Sequence, residues 1–132
     1  MDSQTYKIWS GFAFENVCLR HLRQIKKALG ISGIYTEASS FYKKGKETEE
    51  GVQIDLVLDR KDRVVNLFEI KFYNDALYFT EADLAGLRAK QRIFLNATNT
   101  RKYISWVLIT TFGLKNKGVL DMVLSLDDLF AE

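Results

Sequence analysis

Several residue types are scarce in this chain, and each scarcity excludes a class of structure or site. Its 132 residues include no proline, so no element is broken by the residue that lacks a backbone N–H donor. A single cysteine, Cys18, excludes an internal disulfide and a cysteine-based zinc site, and we assign it to packing. A single histidine, His21, excludes a multi-histidine metal centre, and on a basic helix we expect it to be solvated or salt-bridged. Carboxylate oxygens are the metal ligands that remain.

Long apolar runs and a phosphate-binding loop are also missing. No stretch approaches the roughly 18 consecutive apolar residues of a membrane span, and no apolar signal core is present, so we expect a cytoplasmic protein without a membrane partner. The pattern G-x-x-x-x-G-K-[ST] does not occur, so this chain is not itself a P-loop ATPase. The 19 basic and 17 acidic residues leave a net charge of +2, so any affinity for nucleic acid must come from local clusters.

The residues that are present describe one globular domain. Hydrophobic residues make up 47% of a chain with neither repeats nor a linker, which predicts a single domain over residues 1–132. Periodicity predicts a helix over 11–29 that ends at Gly30, a strand over 34–44 and a loop over 43–51. A hairpin follows, with strands from 52 and over 64–72, and then a helix from a Thr80–Asp83 capping box to Thr98. The last predicted elements are strands over 103–111 and 119–125 and a closing helical turn over 126–130. The fold class is α/β, with a mixed sheet flanked by helices and strand 64–72 in a central position.

The hairpin "VQIDLVLDRKDRVVNLFEIKF" carries charged residues inside its apolar runs. Asp55, Glu69 and Lys71 lie where burial of an unpaired charge costs several kcal/mol. Because side chains two residues apart in a strand share a face, Glu69 and Lys71 project together. An ion pair between them is the simple alternative to a functional site.

Whether Asp55 joins them depends on the register of the hairpin. Pairing Leu58 with Val64 through an odd-length connection places Asp55 on the face of Glu69 and Lys71, whereas a slip of one residue turns it away. We favour that register. It puts one apolar set on the opposite face: Val52, Ile54, Leu56 and Leu58.

A fourth acidic residue lies on the first helix. Glu15 continues an apolar stripe at helical spacing, formed by Gly11, Cys18, Leu22, Ile25 and Leu29. The alternative is an acid favoured by the helix dipole. Two or three carboxylates without histidine or thiolate form the ligand set that Mg²⁺ or Mn²⁺ prefers, and Lys71 can activate water or stabilise a phosphate.

Taken in order, these residues resemble the signature of the PD-(D/E)XK nuclease superfamily, whose restriction-endonuclease-like core is α-β-β-β-α-β. Glu15, Asp55 and "Glu69-Ile70-Lys71" stand at its site positions, although Ile54 replaces the family's proline. The phrases "WSGFAFENVCLRHL", "LRAKQRIF" and "LITTFG" look like the C-terminal nuclease-like domain of bacterial and archaeal P-loop ATPases. The resemblance covers nearly the whole chain and implies metal ligation by Asp55, Glu69, Glu15 and the Ile70 carbonyl.

Further residues are candidates for accessory roles. Gln53 can orient the metal or Lys71, and Lys90 on the second helix can reach the phosphate, although each is equally compatible with an ordinary solvated position. Candidate nucleic-acid contacts are Lys43, Lys44, Arg88 and Lys102.

Two functions follow as hypotheses. One is an Mg²⁺- or Mn²⁺-dependent endonuclease acting on DNA; the other is a non-catalytic module that binds DNA or a partner and regulates an attached P-loop ATPase. The oligomeric state stays open, a homodimer included.

Overall fold

The helices and strands follow one another in the predicted order, except that two helices stand where one first helix was predicted. The structure, a computed structural model, describes residues 3–48 and 51–131, so part of the predicted loop over 43–51 lies outside it. The elements are α1 (Ser3–Arg20), α2 (Leu22–Ala28), β1 (Thr36–Lys43), β2 (Val52–Arg60), β3 (Val64–Lys71), α3 (Glu81–Thr98), β4 (Tyr103–Thr110), β5 (Met122–Leu124) and α4 (Leu126–Leu129). None of the described helices is long and apolar enough to cross a membrane.

Within the described residues the strands form a five-stranded mixed sheet in the order β1-β2-β3-β4-β5. β1, β2 and β3 are antiparallel neighbours, whereas β3, β4 and β5 run parallel. Parallel neighbours cannot be joined by a tight turn, and α3 makes the crossover from β3 to β4. The mixed sheet flanked by helices is confirmed, as is the central position of β3.

Helices cover both faces of the sheet. On one face the helical side chains Phe14, Cys18 and Ile25 pack against strand residues that include Leu56, Leu58, Phe68, Val107 and Ile109. On the other face Phe94 and Leu87 of α3 pack in two clusters with residues that include Ile54, Val57, Val65, Leu67 and Leu108. We call these the α1 face and the α3 face.

The hairpin register differs from the predicted one by two residues. Leu58 pairs with Asn66 rather than with Val64, and residues 61–63 form an odd-length connection, as expected. Arg63 takes a left-handed conformation with φ 68°, which suits a three-residue hairpin loop. On the other side of β3, Asn66 pairs with Ser105 of β4, and the buried Asn66 amide donates to the Ser105 carbonyl at 3.3 Å.

An extra residue in β2 changes which face each half of the strand presents. Ser39 pairs with Val57 and Phe41 with Ile54, so β2 carries one residue more than β1 over this interval. Such a β-bulge turns the strand and reverses its alternation. The predicted apolar set is therefore wrong as a single face: Val52 and Ile54 pack on the α3 face, and Leu56 and Leu58 pack on the α1 face.

The predicted first helix is two helices that meet at His21. The His21 N–H donates to the Cys18 carbonyl at 3.0 Å, and the imidazole Nδ1 lies 2.6 Å from the Val17 carbonyl oxygen. The ring is half-buried and meets Phe130 edge-on, with centroids 5.0 Å apart. His21 thus combines a contact with a backbone carbonyl and a partly exposed ring, so its predicted solvation applies to part of the ring.

Capping boxes begin two of the helices. Asp83 N–H donates to the Thr80 hydroxyl at 3.1 Å, and Thr80 N–H donates to the Asp83 carboxylate at 2.9 Å, as predicted. Ser125 and Asp128 form the same box at α4. Each box satisfies backbone donors that the first turn of a helix leaves free.

The environment of Cys18 predicts that its thiol reacts slowly with alkylating reagents. Burial, followed by the nearby charge of Glu15, raises the pKa of Cys18 to about 12. Relative to an ordinary thiol this leaves about a thousandfold less thiolate at neutral pH. We expect iodoacetamide to alkylate Cys18 far more slowly in the folded protein than in urea, as measured by intact mass. Equal rates in the two conditions would contradict the buried position.

Candidate functional site

Two carboxylates from different elements meet at the α1 face of the sheet. Glu15 comes from α1, one turn before the buried Cys18, and Asp55 comes from β2 beside the bulge. The two carboxyl groups are close enough for Asp55 to raise the pKa of Glu15 through a side-chain hydrogen bond and through its charge. Gln53, two residues before Asp55 on the same strand, donates from Nε2 to Asp55 Oδ1 at 2.8 Å. The structure thus joins three of the predicted site residues.

This pair is electrostatically unfavourable when both groups are ionised. Burial, the hydrogen bond to Asp55 and the negative charge of Asp55 together raise the pKa of Glu15 above its ordinary value of 4.5. Two carboxylates in contact repel each other unless a proton or a cation lies between them. The arrangement is therefore suited to bind a positive charge.

The backbone of Glu69 lies near that of Asp55, but the Glu69 side chain points away from the acid pair. The last β2–β3 rung joins Leu56 to Phe68, so Asp55 and Glu69 are the residues that follow this rung on the two strands. The Glu69 side chain lies on the α3 face, where its Oε2 is 3.0 Å from Lys90 Nζ. Lys90, predicted as an accessory residue, is therefore the cation that holds Glu69.

Lys71 also contacts α3. Its Nζ lies 3.5 Å from Asp83 Oδ1 and 6.0 Å from the centroid of the Phe79 ring. The Thr80 hydrogen bonds, followed by the charge of Lys71, hold the pKa of Asp83 below its usual range. Asp83 has two roles, because one oxygen caps α3 and the other faces Lys71. The capping pattern was visible in the sequence, but the contact with Lys71 was not.

Asp55, Glu69 and Lys71, which were predicted to share one face of the sheet, lie on two different faces. The bulge turns Asp55 towards α1, whereas Glu69 and Lys71 keep their common direction towards α3. Among the residues that the structure describes, no three His, Cys, Asp or Glu side chains form a group able to hold a metal ion. Ile70, whose carbonyl is a predicted ligand, lies in β3 opposite Ile109 of β4.

The four predicted nucleic-acid contacts lie in different environments. Lys44 and Arg88 are exposed, and Lys43 is half-buried at the end of β1. Lys102 Nζ lies 2.5 Å from Asp59 and donates to the Arg60 carbonyl at 2.9 Å. Lys102 therefore joins the end of β2 to the start of β4, and its contacts account for it without a nucleic acid.

Comparisons with known proteins extend the description of the fold. No family model matches the chain, and no curated protein matches it significantly. The crystal structure of AF1548, described as a protein of unknown function, is similar to it with a TM-score of 0.50 and 14% sequence identity. The similarity covers 78% of this chain and 49% of AF1548, so the chain spans about half the length of that protein. At this identity the likeness concerns the fold alone.

The carboxylate pair predicts an unusual dependence of stability on pH. Because the pKa of Glu15 is raised in the folded state, its contribution is fully present below the unfolded pKa and is lost as pH rises through the folded value. In chelator-treated protein we expect Asp55→Asn to weaken this dependence and to raise the free energy of unfolding at neutral pH. Denaturant titrations over a range of pH measure both.

Asp59→Asn is the matched control, because it makes the same change on the same strand. Asp59 pairs with Lys102, so its loss should leave stability unchanged or lower it slightly. An Asp55→Asn variant that is less stable than wild type at neutral pH, with an unchanged pH dependence, contradicts the repulsion between Asp55 and Glu15.

Proposed function

We propose that the chain is a divalent-metal-dependent deoxyribonuclease of the PD-(D/E)XK type, which hydrolyses phosphodiester bonds of DNA in the cytoplasm. The observation that carries this proposal is the contact between the Glu15 and Asp55 carboxyls, since two acids from separate elements form the start of an oxygen ligand set. Glu15 and Asp55 also stand in the sequence where the chain resembles the family pattern, and Glu69 follows the last rung of the hairpin.

In their present positions, only some of the predicted ligands are arranged to hold a metal ion. Asp55 and Glu15 already face one another, whereas Glu69 lies on the α3 face, so a third carboxylate from Glu69 requires both the release of Lys90 and a local change in the backbone of β3. The Ile70 carbonyl is the proposed backbone ligand. Mg²⁺ or Mn²⁺ held by these residues would supply the Lewis-acid chemistry of phosphodiester hydrolysis, which is polarisation of a phosphoryl oxygen and activation of water. The ion also removes the repulsion between the two acids. Gln53 keeps the Asp55 carboxylate oriented through the 2.8 Å hydrogen bond.

The two lysines have complementary roles in this proposal. Lys90 neutralises Glu69, and it would be available to a substrate phosphate if Glu69 served as a metal ligand. Lys71 supplies positive charge for the developing negative charge of the transition state, or activates the water. Its contact with Asp83 keeps the ammonium at the α3 side of the site.

The second candidate function is a module that binds DNA or a protein partner and regulates an attached P-loop ATPase with no catalysis of its own. A specific observation favours it: Glu69 and Lys71 are each paired with a side chain of α3, so neither contacts Asp55 in this arrangement. DNA affinity that depends on salt and survives Glu69→Ala, without cleavage, supports this alternative.

Metal binding predicts a gain in stability. A ligand at a hundred times its dissociation constant raises the free energy of unfolding by about 2.7 kcal/mol. We expect Mn²⁺ to raise the thermal midpoint of wild type and of Asp59→Asn, and to leave Asp55→Asn nearly unchanged. Differential scanning fluorimetry with and without chelator measures the shift. Equal shifts in all three proteins would place the bound ion somewhere else.

Cleavage of DNA is the direct test of the enzyme. With Mn²⁺ we expect wild type to nick supercoiled plasmid and to degrade branched or linear DNA, and we expect Asp55→Asn and Lys71→Met each to lower the rate by about 100-fold. Asp59→Asn should retain the rate of wild type. If wild type and Asp55→Asn give the same background over several metals and DNA forms, the enzyme is excluded and the binding module is favoured.

A further inference from the structure

One end of the sheet carries exposed aromatic and basic residues from three segments of the chain. Lys61 N–H donates to the Tyr35 carbonyl at 3.0 Å, and Tyr103 N–H donates to the Arg63 carbonyl at 3.0 Å. The segment before β1, the β2–β3 turn and the start of β4 therefore lie side by side. We call residues 35, 61–63 and 101–103 the hairpin-turn surface. It lies where β3 begins, whereas the candidate nuclease site lies where β3 ends.

Two exposed tyrosines mark the sides of the hairpin-turn surface. Tyr35 is 61% exposed and Tyr103 is 71% exposed, so neither side chain belongs to the core. Tyr35 precedes β1 and Tyr103 begins β4, three strands away in the sheet. Neighbouring strands are about 4.8 Å apart, so the backbones of the two tyrosines are separated by about 14 Å. Rings at this separation can contact different bases of one unpaired strand.

Some basic residues at this end of the sheet have structural partners. Arg60 donates from Nε to the Asp62 carboxylate at 2.9 Å and from Nη1 to the Asn66 amide oxygen at 3.1 Å. Lys102 pairs with the Asp59 carboxylate and donates to the Arg60 carbonyl. These contacts neutralise Asp59 and Asp62 and hold the turn against the start of β4.

Three further cations are exposed on the hairpin-turn surface. Lys61 Nζ lies 5.8 Å from the centroid of the Tyr35 ring. Within residues 3–48 and 51–131, neither Arg63 nor Arg101 forms an ion pair. Glu37 of β1 is exposed nearby, so the three cations outnumber it once the paired acids are set aside. The surface therefore keeps a surplus of positive charge.

Arg63 occupies a backbone position that favours other residue types. Its φ of 68° lies in the left-handed region, where glycine, asparagine and aspartate are the usual residues of hairpin turns. An arginine side chain does not favour this conformation. Its presence there indicates a role for the guanidinium outside the geometry of the turn.

We propose that the hairpin-turn surface binds an unpaired strand of nucleic acid. Its three cations, Lys61, Arg63 and Arg101, contact phosphates, and its two tyrosines stack on bases. Cations that follow the backbone and aromatic rings that stack on bases are the two parts of surfaces that hold single strands. The arginines also offer forked donors to phosphate oxygens. The proposal does not rest on the nuclease activity, because none of these residues belongs to the carboxylate site.

The fluorescence anisotropy of a labelled oligothymidylate measures binding to the full chain, with chelator present so that no metal-dependent cleavage occurs. We expect saturable binding that weakens as sodium chloride is raised. Arg63→Asn and Arg101→Gln should each weaken binding and reduce the logarithmic salt dependence by about 0.7, since each removes one phosphate contact. Asparagine suits the left-handed φ of residue 63. Lys117→Gln, which removes one charge at an exposed position beyond the other end of β4, should change neither quantity.

A second pair of variants tests the stacking. Tyr103→Ala should weaken binding by about tenfold, whereas Tyr103→Phe keeps the ring and should retain the affinity of wild type. A duplex of the same length should bind more weakly than the single strand, because its bases are already stacked inside the helix. Thermal unfolding confirms that each variant folds before its affinity is compared.

Three results would overturn the proposal. The first is the lack of saturable binding at low salt, and the second is a wild-type affinity in Tyr103→Ala. The third is an equal loss of affinity in Lys117→Gln and Arg63→Asn. Polyglutamate that displaces the labelled strand as well as unlabelled oligothymidylate does would also contradict it, and would assign the surface to an acidic protein segment. Because the assay contains chelator, failure of the proposed nuclease activity leaves these results unaffected.

Discussion

The extra residue of β2 opposite Ser40 is the constraint on which the candidate site depends. Without it, strand alternation would direct Asp55 and Glu69 towards the same helix. With it, Val52 and Ile54 pack against α3, whereas Leu56 and Leu58 pack against the layer of α1. Asp55 lies at the point of change and meets Glu15, which α1 carries one turn before Cys18. The bulge therefore joins the acidic residue of a strand to the acidic residue of a helix.

The charges of the site are balanced unequally on the two faces of the sheet. On the α3 face, Glu69 and Lys71 each have a partner of opposite sign, at 3.0 and 3.5 Å. On the α1 face, Glu15 and Asp55 face each other, with the neutral amide of Gln53 as the one partner added by β2. Unlike the ion pairs, the acid pair lacks a cation among these contacts. In our account a divalent ion would supply that charge, and Glu69 would have to release Lys90 and move from the α3 face to join the ligand set.

Much of this arrangement could be predicted from local patterns in the sequence. The capping box at Thr80 and Asp83 depends on residues three apart, and the central position of β3 follows from apolar residues on both its faces. The helical stripe placed Glu15 towards the sheet, where it meets Asp55. Each of these inferences uses a periodicity or a spacing that is complete within one segment.

The remainder depends on contacts between distant segments. The bulge arises where β2 pairs with β1, and no spacing within β2 marks it. The hairpin register is two residues from the predicted one, with Arg63 in a left-handed turn and Asn66 bonded to Ser105 of β4. The position of His21 depends on Phe130, which lies more than one hundred residues away in the chain. Partners of this kind are visible only once the sheet and its helices are assembled.

A crystal of the protein soaked in Mn²⁺, examined by anomalous diffraction, tests the central claim most directly. The account predicts an anomalous peak between Glu15 and Asp55, with Glu69 turned away from Lys90 and with the Ile70 carbonyl among the ligands. The same soak of Asp55→Asn should show no peak at that position. A soaked wild-type crystal in which Glu15 and Asp55 remain in contact with each other, with no ion beside them, would contradict the proposed metal site.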